Sequence, residues 1–479
     1  MRWSSSRTAG TAATLLAATV LGYELFIPPR VGVANNGDFS KIVGIFGLGA
    51  PSEDEYAFAD LKYHFESKYR WRSGQYSSET MLAALGVGLN GLFSKRGDVF
   101  DLRWMGLLHG LLFVLGMHLI QPIFAEMSPL RRVFLFTAVV LFFCDFMYAG
   151  YFNTFYMDAA AYVSLMLAVV FFVRAAKWRD WRDAISLVAC VVFLVLSKPQ
   201  HAILGVWAGA LLAFYGASLS PRGGRVFSIA AAAIVGSATI LSLKGAPPDY
   251  AAHGYYTVIF HQVLPHSRDA TRDLYALGLD RSYEKWIGTH SFSEGSGMND
   301  PTFVRTFRER TSYALLGWFF LTHPRDAYLT IETSLAEAGR QRPEMGNFDR
   351  GGGLPAFAES RAFALWSMAK RKLFHEHGAR YLACYILATV LLCLLAFVRR
   401  QSIPGVLVGG VYALSGMAMT AMLVASLADA VDVARHHLIA FALLDLQVLL
   451  AFVLVIGSRD LSPFFARLKS ATVATVPEL

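Results

Sequence analysis

The sequence predicts an all-α protein, a polytopic transmembrane helical bundle of about ten helices. Composition is the first reason: 55% of the 479 residues are hydrophobic and 16% charged, with a mean hydropathy of +0.43, where a soluble domain carries about 25% charged residues. The second is length. Apolar runs of about 17 to 25 residues recur along almost the whole chain, each enough to cross roughly 30 Å of hydrocarbon as a helix. The third is charge, because Arg and Lys collect in the connections between alternate runs.

The first run, residues 9–26, follows Arg2 and Arg7 and lacks a clean small-x-small cleavage site, so it reads as a retained first helix. A polar stretch, 29–75, leads to an apolar segment, 76–93, that contains Gly86, Gly88, Asn90 and Gly91 and is flanked by Glu79 and Lys95-Arg96. Further runs occupy 104–124, 133–149, 158–174, 183–198, 202–219, 226–243, 379–398, 403–425 and 437–456. If 76–93 does not span, the loops with Arg131-Arg132, Arg174, Lys177, Arg179, Arg182, Arg222, Arg225 and Arg399-Arg400 share one side with the tail residues Arg459, Arg467 and Lys469. That side also holds Arg2 and Arg7, so the positive-inside rule makes it cytoplasmic. Segment 76–93 is therefore expected to lie at the outer interface as an amphipathic or partly inserted helix, with both chain ends in the cytoplasm.

Three parts follow: a membrane module, 1–243, with a first outer loop 29–103; an extracytoplasmic insert, 244–378; and C-terminal helices with a tail, 379–479. The insert is too long for a passive connection. It is expected to be mostly helical, with helices at about 303–321, 325–338 and 360–374 and a break at Gly351-Gly352-Gly353.

The net charge of +8 sits largely at helix ends, which is a topology signal and excludes a nucleic-acid face. Cys144, Cys190, Cys384 and Cys393 lie inside apolar runs, as small core residues without metal-ligand spacing. The insert histidines His253, His261, His266 and His290 lack ligand spacing too, and no phosphate-cradling loop, GxSxG or HExxH occurs.

In this topology the unusual polar residues gather on one side. Asp38, in Asn35-Asn36-Gly37-Asp38 just after the first helix, suits a general base or metal ligand at the membrane surface, with Asn36 supplying an amide; the same tetrapeptide also suits an Asx-turn or N-cap. Asp158 opens a membrane helix, where an acid is either functional or an N-cap. Asp145 is expected to pair with a base. Lys198 and His201 flank Pro199, and Arg435, His436 and His437 open the last helix; such cations suit a phosphate, or pairing with Asp429 and Asp432, and the two histidines with Asp432 could hold a metal. Arg340 and Arg342 are further phosphate candidates. Trp71, Tyr76, Tyr151, Phe155, Tyr156, Tyr255, Tyr256, Trp286 and Trp318 read as an interfacial aromatic belt, and stacking on sugar rings would use the same residue types.

The arrangement of an acid soon after helix one, interfacial helices in that loop, a multi-helix bundle and a large outer insert resembles the C-class glycosyltransferase (GT-C) fold. The resemblance covers the whole length and implies a membrane glycosyltransferase that takes its sugar from a polyprenyl phosphate. It implies Asp38 as the base toward a glycan, lipid or protein acceptor, and Lys198 and Arg435 as holders of the donor phosphate. No adjacent acidic pair follows helix one as in some members, so a divalent metal is possible but not required by the sequence. The implied place is the plasma (inner) membrane, with the active site outside. A lipid-linked glycan polymerase or ligase, in which Arg435 and His436 or His437 act, and a transporter or flippase are the alternatives.

Overall fold

The structure, a computed structural model, describes residues 2–49, 54–66, 75–93, 99–219, 221–247, 249–374, 377–401 and 403–456. Trp71, Lys95-Arg96 and the tail with Arg459, Arg467 and Lys469 lie outside them. Among the described residues seven helices are long and apolar enough to cross a membrane: Ala9–Phe26, Arg103–Ala125, Met157–Trp178, Pro199–Ala217, Arg222–Lys244, Gly378–Val398 and Gly405–Leu427. The shorter helices Pro129–Phe143, Trp181–Ser197 and Leu438–Ile456 pack against them and bring the bundle to the ten expected. This is a multi-pass, all-helical membrane protein.

Met157–Trp178 is the central helix. Most of its surface is buried, and it packs on Trp181–Ser197, Arg103–Ile120 and Ser78–Phe93. Its 22 residues rise about 33 Å, so Asp158 and Arg179 stand at opposite ends of the bundle. The segment expected at an interface is the helix Ser78–Phe93, outside the seven. It exposes Leu85, Leu92 and Phe93 and buries Glu79, whose carboxylate meets His109 Nε2 at 3.2 Å and accepts from the Ala160 amide at 3.1 Å.

The loop after the first helix holds a small antiparallel sheet, Leu48–Gly49, Lys62–Phe65 and Val99–Asp101, which the sequence reading did not anticipate. These strands are two to four residues long, too short for their alternation to stand out in sequence. The insert has its own apolar core of Tyr255, Tyr256, Phe260, Leu274, Phe303 and Phe307. The helix expected over 303–321 is two helices, Pro301–Arg310 and Tyr313–Thr322, because Ser312 adopts an extended backbone and accepts from the Leu315 amide as an N-cap. Pro324–Ala338 then packs on the membrane helices Gly378–Val398 and Gly405–Leu427.

The insert is stitched to the first loop through backbone. Gly32 N donates to Asn347 O at 3.0 Å, Ala34 N to Gly346 O at 2.9 Å, and Gly346 N to Tyr56 O at 2.9 Å. A Cβ at Gly346 would stand 1.9 Å from the Ala57 carbonyl oxygen, so glycine is required for this approach.

Several expectations change. Tyr151, Phe155 and Tyr156 are core residues of the bundle and Tyr255 and Tyr256, on the helix Tyr250–Thr257, of the insert, while Tyr76 and Trp318 are exposed. Cys384 is exposed on its membrane helix and Cys144 is buried; all four thiols are free. Among the described residues Asp145 has no ion pair: it accepts from the amides of Met147 and Ser367, both at 2.9 Å, and the nearby Lys370 instead pairs with Asp445 at 2.8 Å.

Candidate functional site

Three loops and one helix start meet at the Asp158 end of the bundle. The first is the Asn35-Asn36-Gly37-Asp38 turn. Asn35 Oδ1 accepts from the amides of Gly37 and Phe39 at 2.9 and 3.0 Å, and Asn36 Oδ1 from Asp38 N at 3.1 Å, an Asx arrangement. Gly37 has φ +96°, which its lack of a side chain permits. Asp38 and Asn36 thus serve a turn and a charge cluster at once.

Arg435 is the hub of that cluster. Its Nη2 lies 2.7 Å from Asp38 Oδ2, its Nε 2.6 Å from Asp432 Oδ2, and its Nη1 3.4 Å from Asp158 Oδ2. The guanidinium stands 4.6 Å from the centre of the Tyr156 ring. The Tyr156 hydroxyl donates to Ala34 O at 2.7 Å and accepts from Asn36 N at 3.0 Å, so one side chain holds both the Arg435 plane and the loop before Asp38. Asn36 Nδ2 donates to Asp432 Oδ2 at 2.7 Å.

Lys198 comes from the kink between Trp181–Ser197 and Pro199–Ala202, where Pro199 forces the preceding residue into extended backbone. Its Nζ lies 3.5 Å from Asp158 Oδ1, and His201 Nε2 lies 4.0 Å from the same oxygen. Lys198 Nζ, His201 Nε2 and His436 Nδ1 are buried without a hydrogen-bond partner, which leaves three polar atoms available to a ligand. Lys41, absent from the sequence candidates, meets Asp38 Oδ1 at 2.6 Å. Its signal was the i,i+3 spacing on the short helix Ser40–Phe46 that follows Asp38.

The electrostatics follow from these distances. Burial opposes ionisation of Asp38, yet the Arg435, Lys41 and Lys198 charges outweigh it and hold the carboxyl far below the usual carboxylate range. Burial, then the Lys198 and Arg435 charges, push the His436 imidazole well below its ordinary value, so it is neutral at pH 7. Asp38 and Lys41 are the accessible edge, with side chains 20% and 27% exposed.

The structure brings Asp38, Asn36, Asp158, Lys198, His201, Arg435 and His436 together, and Arg340 and Arg342 elsewhere. Arg340 pairs with Glu344 on the surface, and Arg342 donates to Ser360 O while its guanidinium covers the Phe146 ring at 4.8 Å. The two flank the turn at Gln341, whose φ is +67°, and point away from the cluster, although Arg342 Nε is buried without a hydrogen-bond partner. The His436, His437 and Asp432 triplet does not assemble as a metal site. Neighbouring helical side chains diverge, and His437 is held by Val433 O at 2.9 Å and Ser426 Oγ at 3.1 Å. Among the described residues no three His, Cys, Asp or Glu side chains converge on a metal position.

Deeper in the bundle a small apolar cavity of about 40 Å³ lies between Met157–Trp178, Trp181–Ser197, Leu204–Ala217 and Gly405–Leu427, lined by residues that include Leu165, Phe172, Leu194, Leu212, Leu414 and Met417.

A helical bundle with this buried charge cluster at one end defines an integral membrane protein with a polar site beside its apolar core. The chain belongs to the family of the YfdI N-terminal transmembrane domain, which matches residues 2–470. No curated protein and no solved structure matches it.

Proposed function

We propose that this protein is an inverting membrane glycosyltransferase that moves a sugar from a polyprenyl phosphate to a cell-envelope acceptor. The observation that carries the reading is the convergence of Asp38, Arg435, Lys198 and Asp158 at one end of an apolar helical bundle. Glycosyl transfer from a lipid phosphate needs a base at the acceptor oxygen, cations at the departing phosphate and a channel for an isoprenoid tail. In this reading the acceptor hydroxyl oxygen attacks the anomeric carbon while Asp38 takes its proton. The bond from carbon to phosphate oxygen breaks, and the electron pair stays on the phosphate, held by Arg435 and Lys198. Asp158 keeps both cations in place.

The reading sets the Asp38 end at the extracytoplasmic face of the plasma (inner) membrane, because the loops with Arg174, Lys177, Arg179 and Arg182 stand at the other end. It agrees with the resemblance to GT-C enzymes and with membership of a transmembrane-domain family. A divalent metal is not part of it. In the polymerase or ligase alternative Arg435 and His436 or His437 would act; the two ring nitrogens of His437 are engaged by Val433 and Ser426, which leaves His436 as the histidine for that role.

The test is transfer of radiolabelled sugar from a prenyl phosphate donor by protein in lipid nanodiscs. Asp38→Asn is expected to abolish transfer, a fall of at least about 10³-fold, while eluting as the same folded species. Full activity in Asp38→Asn, or loss in His437→Ala with Asp38→Asn active, would sink the assignment.

A further inference from the structure

Two cations meet the Asp38 carboxylate, and they are held differently. The Arg435 side chain is 3% exposed, has Asp158 and Asp432 as further partners and rests on the Tyr156 ring. The Lys41 side chain is 27% exposed and, among the described residues, pairs with no carboxylate other than Asp38. Beyond that contact its ammonium lies 5.7 Å from the centre of the Tyr250 ring, which the insert contributes. A guanidinium fixed at three points stays where it is, whereas an ammonium on a four-carbon stem is a mobile point charge.

We propose that Lys41 is a further catalytic residue, which covers Asp38 in the empty site and turns onto a donor phosphate oxygen when the donor enters, leaving Asp38 free to take the acceptor proton. The proposal rests on the polyprenyl-phosphate reading above. Its chemistry closes without a further reactant: the acceptor proton goes to Asp38, the electron pair of the broken bond goes to the phosphate oxygen, and Lys41 stays charged throughout as a donor to that oxygen. A carboxylate clamped between two cations holds a proton poorly, so Asp38 as it stands is a weak base. Moving one cation to the phosphate strengthens the base only when the donor is present. The donor therefore binds before the acceptor is deprotonated, and Lys41 enforces that order.

The experiment compares wild type, Lys41→Met and Lys41→Arg in nanodiscs, using calorimetric binding of farnesyl phosphate and the pH dependence of sugar transfer. Loss of a charge-assisted contact predicts farnesyl phosphate binding weakened about 10- to 100-fold in Lys41→Met and by less than about threefold in Lys41→Arg. With the donor bound, Lys41 has already left Asp38, so the acid limb of kcat stays within about 0.3 pH unit of wild type in Lys41→Met. Unchanged farnesyl phosphate binding in Lys41→Met overturns the proposal and leaves the glycosyltransferase reading standing. So does a kcat limb that rises by about one pH unit, because Lys41 would then remain on Asp38 during turnover. Wild-type protein that neither binds farnesyl phosphate nor transfers sugar refutes the reading and the proposal together. Lys41→Arg, which keeps the charge, controls for folding.

Discussion

Replacing Arg435 by Met removes the tie between three carboxylates while keeping the length of the side chain. The guanidinium nitrogens stand 2.6 Å from Asp432, 2.7 Å from Asp38 and 3.4 Å from Asp158, and the side chain is 3% exposed. Removing one partner from a buried ion cluster costs about 3–5 kcal/mol, because the remaining charges are left uncompensated. Here Asp38 keeps Lys41, Asp158 keeps Lys198 and Asp432 keeps the Asn36 amide, so the lower end, about 3 kcal/mol, is expected. Of the three, Asp432 has no second cation among the described residues. Adding Asp432→Asn to Arg435→Met should therefore recover about 1–2 kcal/mol. Unfolding by SDS titration in mixed micelles at pH 7, followed by tryptophan fluorescence, measures both quantities. A loss below about 0.5 kcal/mol in Arg435→Met, the size of an exposed ion pair, would refute the view that this guanidinium organises the site.

Four further outcomes follow from the same structure. The folded-state pKa of Asp38 is depressed, so its contribution to stability is present above the unfolded value of about 3.9 and is lost as pH falls through the folded value. The stability difference between wild type and Asp38→Asn should be flat from pH 8 to 5 and shrink only below about pH 4; a decline between pH 8 and 6 would contradict the assigned shift. Lys370→Met should destabilise by about 3 kcal/mol in the same titration, since it leaves the buried Asp445 with the Tyr148 hydroxyl but no cation, and Lys370→Met with Asp445→Leu should be milder than Lys370→Met alone. Gly346→Ala pushes a methyl group onto the Ala57 carbonyl, and limited proteolysis of the first loop should accelerate at least about tenfold if the stitching to the insert holds Asp38 in place. In a cysteine-free background, a membrane-impermeant maleimide added outside cells should label a cysteine at Ser40 and leave one at Arg179 unlabelled; the reverse pattern would invert the proposed orientation.

Much of the bundle was legible because a hydrocarbon core constrains length. Ten apolar runs became ten packed helices, and segment 76–93, set apart by its glycines and Asn90, became the shorter helix Ser78–Phe93. The small sheet was not legible, since strands of two to four residues gain their pairing only when residues 48–49, 62–65 and 99–101 meet in space. Nor was the break at Ser312, where a side-chain oxygen capping its own helix won over continuous apolar periodicity. Asp145 shows the same limit: its sequence offered an ion pair, and the fold supplied two amides.

For the site, the sequence by itself determined which charges stand at helix ends, because a carboxylate or ammonium in an apolar run is expensive and has to be held there for a reason. That logic selected Asp38, Asp158, Lys198 and Arg435 without coordinates. Only the tertiary structure decided that one guanidinium joins Asp38, Asp158 and Asp432 across nearly 400 positions of chain, as in the Asp38 contact with its sequence separation of 397. Only it showed that Arg340 and Arg342 find partners elsewhere and that Lys41 belongs beside Asp38. The reason is physical: the energy of a charge is set by its distances to other charges and to water, and those distances exist only once the helices have packed.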